Sequence, residues 1–243
     1  MGRLFVVGIG PGGPPDRTRR AEEAIAQCSV IVGYSRYLEL IRDITAGKKL
    51  ISSGMTKEVE RCTIAIERAG RGDVVALVSS GDPGVYGMAG LVLEIAEAEG
   101  ISLSIEIVPG VASANAAAAR LGAPLMCDYA TISLSDLLVS LDVIRKRLTA
   151  VAEADLVVAL YNPQSKTRKK QINEAAAIFR RYRPGTTPVG IGTAVGTEEE
   201  CIVLTDLDHF LDCEINMRSI VLIGNSSSKV LDGRFVTPRG YKV

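Results

Sequence analysis

The 243-residue chain has no tryptophan, a single histidine and only 5% aromatic residues. So few rings cannot supply a base-stacking surface for nucleic acid or an aromatic belt at a membrane interface. The five cysteines, Cys28, Cys62, Cys127, Cys201 and Cys213, are odd in number, scattered and free of any C-x-x-C pair. That pattern argues against a disulfide framework and against a zinc site. With His209 alone there is no His/Cys or His/carboxylate cluster, so no metal is expected. His209 stands in Asp206-Leu207-Asp208-His209-Phe210-Leu211, a polar stretch that reads as solvated surface. Charge of one sign is lacking as well: 28 Lys and Arg balance 28 Asp and Glu. No global field collects polyanions, and no nucleic-acid partner is expected. No apolar run approaches the roughly 20 residues of a membrane span. The opening Met1-Gly2-Arg3-Leu4-Phe5-Val6-Val7-Gly8 is too short for a signal-peptide core before its glycines. The expectation is a soluble, cytoplasmic protein without a membrane partner.

What remains is an ordinary globular composition, 47% hydrophobic and 23% charged, in a chain long enough for one large domain or two compact ones. Apolar runs alternate with helical patterns, the mark of an α/β fold. Strands are expected at 4–9, 29–32, 49–51, 73–79 and 102–108, with helices at 18–28, 37–41, 57–69, 88–99 and 112–120. The pattern breaks around Leu121-Gly122-Ala123-Pro124-Leu125, which suggests two α/β domains, 1–125 and 126–243. The second half restarts with a strand at 129–133 and a helix that Ser135 and Asp136 could cap. Further strands follow at 156–161, 187–192, 200–204 and 219–223, plus a basic helix at 166–182. Strands outnumber helices there, so a mixed sheet is expected.

Small-residue loops follow several strands. Gly8-Ile9-Gly10-Pro11-Gly12-Gly13 formally matches the G-x-G-x-x-G dinucleotide pattern. However, Pro11, Pro14 and Pro15 disturb the turn and delay the helix. The next strand ends in Gly33-Tyr34-Ser35-Arg36, without an acid to hold a ribose. A nicotinamide-binding oxidoreductase is therefore the alternative from another class. Ser79-Ser80-Gly81-Asp82-Pro83-Gly84-Val85-Tyr86-Gly87 follows the strongest strand; it is either scaffold or a place where a ligand reaches the main chain. Val108-Pro109-Gly110-Val111-Ala112-Ser113-Ala114-Asn115 repeats the idea, and Gly190-Ile191-Gly192-Thr193-Ala194-Val195-Gly196 does so in the second half. Loops of this kind in both halves suggest one ligand in a cleft.

Val7-Gly8-Ile9-Gly10-Pro11-Gly12, Gly81-Asp82-Pro83 with Tyr86-Gly87, and Pro109-Gly110-Val111-Ala112-Ser113, in that order and spacing, resemble the tetrapyrrole methylases. Gly81-Asp82-Pro83-Gly84-Val85-Tyr86-Gly87-Met88-Ala89, Leu160-Tyr161-Asn162-Pro163-Gln164-Ser165-Lys166 and Pro238-Arg239-Gly240-Tyr241 most resemble the family's precorrin-3B C-17 methyltransferase branch, which belongs to cobalamin biosynthesis. The resemblance implies two α/β domains with S-adenosyl-L-methionine in the cleft between them, a small-molecule tetrapyrrole as substrate and a homodimer. It implies cofactor contacts at Pro11, Ser80, Gly81, Asp82, Val85, Ala112 and Ser113. In the second half it implies contacts at Leu160, Asn162, Gly192, Thr193 and Ala194. Relatives that act on uroporphyrinogen carry an acid where Ser35 stands and a basic residue near Gly54. Those departures favour a different tetrapyrrole. A uroporphyrinogen, a diphthamide intermediate or ribosomal RNA are the other substrates of this fold.

Methyl transfer from a sulfonium to carbon rests mainly on positioning, so a missing triad does not count against an enzyme. Ring contraction needs proton movement, for which Ser35, Lys57 and Tyr86, with Asp16 and Glu58, are candidates that no spacing separates. A polycarboxylate substrate wants guanidinium or ammonium partners. Arg17, Arg36, Lys57 and Arg61 are the candidates, each with a plain surface role as its alternative. Ser135 is either a helix cap or a substrate contact. The cluster Lys166, Arg168, Lys169 and Lys170 reads as a solvated helix face.

Overall fold

A computed structural model describes residues 2–165 and 168–242. The chain forms two compact units, Met1–Ser113 and Ala114–Val243. The first holds five parallel strands, β1 (Arg3–Gly8), β2 (Val30–Tyr34), β3 (Lys49–Ser53), β4 (Val74–Ser79) and β5 (Ser104–Val108). Their order is β3-β2-β4-β1-β5. Helices α1 (Arg19–Ala26), α2 (Ser35–Glu39), α3 (Glu58–Gly70) and α4 (Ala89–Ala98) connect them.

Period-two alternation divides the side chains of this sheet between two cores. Leu4, Val6, Val75 and Leu77 pack with Cys62, Ile66 and Val92 of α3 and α4. Phe5, Val7, Ala76 and Val78 pack with Ala21, Ile25 and Leu38 of α1 and α2. With both faces covered, the inner strands β1, β2 and β4 read as near-continuous apolar runs, and each fully buried Leu, Ile, Val or Phe contributes roughly 1.5–3 kcal/mol. Helix α1 starts where Thr18 Oγ1 accepts from Ala21 N at 3.1 Å, an N-cap.

The second unit contains α5 (Ser113–Leu121, reaching back one residue into the first), α6 (Leu141–Glu153) and α7 (Lys170–Phe179). Its main sheet comprises β7 (Tyr129–Ser133), β8 (Val157–Tyr161), β9 (Pro188–Thr193), β10 (Cys201–Asp206) and β11 (Ser219–Ile223), in the order β10-β9-β11-β8-β7. Only β7 and β8 pair in parallel; the other pairings are antiparallel, so the sheet is mixed as expected. Val189 and Ile191 of β9 face a core built with α6 and α7. Gly190 and Gly192 face the other way. A Cβ on Gly190 would stand 2.3 Å from Leu121 Cδ1, and one on Gly192 2.9 Å from Ala117 Cβ.

That contact explains why the two units divide before α5 and not near residue 125. Helix α5 lies on the glycine face of β9, and Ala114 N donates to the Tyr161 hydroxyl at 3.2 Å. Three further expectations change. Residues 134–140 are not helical, and α6 starts after Ser140, because Ser135 and Asp136 are engaged with Arg168 and Gln171. Helix α7 is shorter than 166–182, and Lys166 lies outside the described residues. A small sheet, ordered β12 (Lys229–Leu231), β13 (Arg234–Val236) and β6 (Gly122–Ala123), was not anticipated. Its hairpin turns through Asp232 and Gly233 with φ of 48° and 71°, the left-handed pair a tight two-residue turn needs.

Leu121→Ala should destabilise the protein by about 2–5 kcal/mol in urea unfolding. Gly190→Ala alone should also destabilise, by overpacking against Leu121. In the double variant the alanine methyl enters the space Leu121 vacates, so the two losses should fall short of additivity by about 0.5–3 kcal/mol. Simple additivity would show that α5 and β9 do not share this contact.

Candidate functional site

Because β4, β1 and β5 are neighbours and all parallel, their C-terminal loops leave one sheet edge side by side. Ile9 N donates to Ser79 O at 2.9 Å, Gly10 N to Gly81 O at 3.2 Å, and Gly81 N back to Gly10 O at 2.7 Å. Asp82 then ties two loops together. Its Oδ1 accepts from Gly84 N at 2.8 Å and its Oδ2 from Gly110 N at 3.0 Å. No side chain fits between these main chains. A Cβ on Gly110 would lie 2.2 Å from Gly81 O, and one on Gly8 2.7 Å from Gly110 N. Gly81 is required for a different reason: its φ is +64°, while the space beside it is open apart from Ser113 Oγ at 3.6 Å.

Pro11, Ser80, Asp82, Val85, Ala112 and Ser113 are all half-buried around this edge, and Gly81 is buried. Such an edge lets a small ligand meet the main chain with few side chains in its way. Such a ligand would bond peptide N–H and C=O groups. The edge does not suit a dinucleotide. After Gly10 a short 3₁₀ turn, Pro14–Asp16, intervenes, and α1 begins only at Arg19, so no helix N-terminus meets a pyrophosphate in this loop.

Strain marks the strand ends in a way the sequence did not disclose. Thr56, Tyr86, Asn162 and Ala194 all have positive φ, between 51° and 62°, and follow β3, β4, β8 and β9. Non-glycine residues held there cost energy that the surrounding structure must outweigh, and such positions gather at functional edges.

The candidate cations fare unequally. Arg17 is buried, donating to both Asp43 carboxylate oxygens at 2.9 and 3.0 Å and to Leu40 O at 2.9 Å. Arg61 is buried too, donating to Ser53 Oγ at 2.8 Å and Gly54 O at 2.7 Å, with its guanidinium 6.0 Å from the Tyr34 ring centroid. Both guanidinium groups are engaged with groups of the chain itself through their terminal nitrogens, and that of Arg61 through Nε as well. Arg36 is exposed, and Lys57 is exposed and paired with Glu60 at 2.9 Å. Ser35 begins α2 at the end of β2, and Tyr86 is half-exposed in the loop after β4. Asp16 closes the 3₁₀ turn, and Glu58 is exposed at the start of α3. Burial pushes the thiol of Cys28 up to about 12 and that of Cys62 up to about 11, so both stay protonated at neutral pH.

In the second unit Leu160 is fully buried in the α6/α7 core, so only its main chain could meet a ligand. Gly192 is buried against Ala117 and Val195, which makes it a packing glycine. Thr193 Oγ1 lies 2.8 Å from Ser219 Oγ, and Ala194 N donates to Arg218 O at 3.0 Å. Asn162 Nδ2 donates to Ser133 Oγ at 3.0 Å, which also accepts from Ser135 N at 3.2 Å. Ser135 caps no helix; its Oγ accepts from Arg168 at 2.7 Å. Arg168 itself is not on a solvated helix face: it precedes α7, and its side chain is only 11% exposed. His209 is exposed and hydrogen-bonded to Asp206, whose carboxylate holds the imidazole pKa above its ordinary value.

A parallel sheet whose glycine loops meet by main chain, joined in sequence to a mixed α/β unit, defines a two-unit α/β protein whose first loop lacks the helix N-terminus of a dinucleotide site. The chain belongs to the Tetrapyrrole (Corrin/Porphyrin) Methylases, whose family model matches residues 3–210. It is 43% identical over 238 residues to a probable cobalt-factor III C(17)-methyltransferase of Salmonella typhimurium, covering 98% of this chain and 99% of that protein. It is 45% identical over 245 residues to a cobalt-factor III methyltransferase of Priestia megaterium, where the match takes in 99% of this chain but 45% of the relative's length. A crystal structure of the methyltransferase CobJ superposes with a TM-score of 0.90 at 36% identity, covering 98% of this chain and all of that one.

Gly110→Ala should lower stability by about 1–3 kcal/mol or more through its clash with Gly81 O. Gly70→Ala, where no atom lies within 4 Å of the new methyl, should be neutral or stabilising by about 0.4–1 kcal/mol. Urea melts of the pair check both. Asp43 tests the buried guanidinium. Its hydrogen bond to Arg17 holds its carboxyl below the ordinary 3.8. The stability this contributes is complete above that value and is lost as pH falls through the lower, folded one. Asp43 is partly solvated, so screening reduces the effect. Asp43→Asn should cost about 1–2 kcal/mol at neutral pH and flatten the acid limb of the stability profile below about pH 4.

Proposed function

We propose that this protein is an S-adenosyl-L-methionine-dependent C-methyltransferase of cobalamin biosynthesis. Its substrate is precorrin-3B or the cobalt-bearing counterpart, methylated at C-17 with contraction of the macrocycle. The observation that carries the reading is the glycine-built edge of the first sheet, where Gly8, Gly81 and Gly110 bring three strand-end loops into main-chain contact. The full-length similarity to a probable cobalt-factor III C(17)-methyltransferase supports the choice of substrate.

When bound, S-adenosylmethionine supplies an activated methyl group on a positively charged sulfur. The chain's part is to orient the two reactants. Positive charge vanishes as the methyl leaves, so an oxyanion hole or cationic clamp would add little at the sulfur. Correct orientation is worth roughly 7–11 kcal/mol, against roughly 3–5 kcal/mol for a general acid or base. The loops carry out that orientation: Asp82 fixes the β4 loop to the β5 loop, and the half-buried Ser80, Val85, Ala112 and Ser113 border the ligand. For the proton that leaves a macrocycle hydroxyl during contraction, Ser35, Lys57 and Tyr86 stand at the ends of β2, β3 and β4, on the same edge. Arg36 and Lys57, both exposed, are the carboxylate partners this unit can offer.

Calorimetric titration should give saturable binding of S-adenosylhomocysteine and none of NAD. Asp82→Ala, which frees the Gly110 and Gly84 amides, should weaken that binding about tenfold or more. Incubation with cobalt-factor III and S-adenosylmethionine should add one methyl by mass spectrometry. Binding of NAD without the thioether would refute the reading.

A further inference from the structure

The second unit carries a feature that the reading above does not use. Loop 134–140, after β7, is held at its base and bare at its tip. Leu134 is fully buried, and its N–H donates to Tyr161 O at 2.9 Å. Leu137 and Leu138, by contrast, are 77% and 98% exposed. Two adjacent leucines projecting from a pinned loop are an unusual investment for a solvated surface, and contiguous apolar exposure marks recognition sites.

Beside the loop base lies a cation with poor partners. Arg168 donates to Ser135 Oγ at 2.7 Å and to Met217 Sδ at 3.6 Å, and its approach to Asp136 Oδ1 is 3.8 Å. Asp136 is drawn off by Gln171, whose Nε2 donates to its Oδ2 at 2.9 Å. Buried Arg168 Nε has no hydrogen-bond partner among the described residues, a state it shares with the Nε of Arg3, Arg17, Arg68 and Arg183, so what marks Arg168 is what its two terminal nitrogens meet. The backbone of Arg168 is fixed by reciprocal bonds with Ser165: its N–H donates to Ser165 Oγ at 3.1 Å, and Ser165 N donates to its carbonyl at 2.9 Å. A guanidinium is thus held rigidly, largely desolvated, against a hydroxyl and a thioether, where a carboxylate is its natural counterpart.

We propose that loop 134–140 and Arg168 together form a substrate-recognition site: Arg168 pairs with a peripheral carboxylate of the macrocycle, and Leu137 and Leu138 lie against its apolar ring face. The assignment rests on the tetrapyrrole reading above. An amphipathic disc with an apolar face and an anionic rim is a ligand that needs apolar side chains and a fork-shaped cation on one loop surface, and Arg168 is bonded to Ser135, two residues before Leu137. Ser135 takes part as the hydroxyl that orients the fork. Its role as a substrate contact, one of two alternatives its sequence context allows, is thereby made indirect.

The test compares wild-type protein with Arg168→Gln, Arg168→Lys and the double variant Leu137→Ser/Leu138→Ser. The readouts are steady-state kinetics with cobalt-factor III, S-adenosylhomocysteine calorimetry, thermal melts and sedimentation. Arg168→Gln should raise KM for the tetrapyrrole about tenfold to a hundredfold, with kcat much less affected. Lysine should recover part of the loss, since charge survives and the fork does not. The leucine double variant changes only exposed side chains, so it should fold normally and bind the thioether like wild type while KM rises about tenfold. Methylating protein whose KM is unmoved in the leucine variant and in Arg168→Gln overturns the assignment alone. Wild-type protein that binds the thioether but neither binds nor methylates the tetrapyrrole overturns the substrate reading and this assignment together. A leucine variant that changes sedimentation without changing KM gives those residues to self-association and overturns their part in recognition.

Discussion

Three peptide segments touching without side chains between them govern the first unit. Neighbouring parallel strands deliver their loops side by side, and here the main chains approach too closely for a Cβ to stand between them. Gly8 and Gly110 remove the conflict, the carbonyl of Gly81 sitting close to where a Cβ on Gly110 would have to be, and Gly81 supplies the left-handed turn. Once the loops meet, the hydrogen bonds between Gly10 and Gly81 and the two that Asp82 accepts lock them in one arrangement. The edge that results is rich in peptide groups and poor in charge, as suits a ligand that must be aimed more than ionised.

The same economy of charge runs through the rest of the molecule. Several arginines that composition counts as surface cations are structural. Arg17, Arg61 and Arg183 are buried and engaged by the chain itself, Arg17 by the Asp43 carboxylate and Leu40 O, Arg61 by Ser53 Oγ and Gly54 O, and Arg183 by main-chain carbonyls. Burial pushes Arg183 down to about 10, still far enough above neutrality to keep it charged, and its guanidinium donates to Leu156 O at 2.6 Å and to Gly224 O. Each ties loops that end strands or helices. Arg61 meets a hydroxyl and a thioether as Arg168 does, Ser53 Oγ at 2.8 Å and Met88 Sδ at 3.5 Å, but it also donates to the Gly54 carbonyl, a kind of bond not found for the Arg168 guanidinium among the described residues.

Much of the architecture was legible because strand and helix periodicities are local. All five strands of the first sheet and all five of the second fall within a few residues of their apolar runs. The glycine loops after β1, β4 and β5 announced a main-chain site. Two readable signals went unread. Leu231-Asp232-Gly233-Arg234 carries the Asp-Gly pair of a tight hairpin, and Ser140, not Ser135, stands directly before the periodic residues of α6. The division before α5 was not readable in the same way. It depends on Leu121 and Ala117 meeting Gly190 and Gly192, some seventy residues away along the chain.

By itself the sequence determined the elements, the small-residue loops and the kinship with tetrapyrrole methylases, because each of these is encoded in short stretches of chain. Tertiary structure alone decided which polar groups remain available. Arg17 is engaged by Asp43, Arg61 by Ser53 and Gly54, and Asp82 by Gly110, while the Arg168 side chain, among the described residues, meets Ser135, Met217 and a distant Asp136. Several of these pairs join residues far apart in sequence, and whether a charge is consumed or left free follows from burial, which no local pattern of residues specifies.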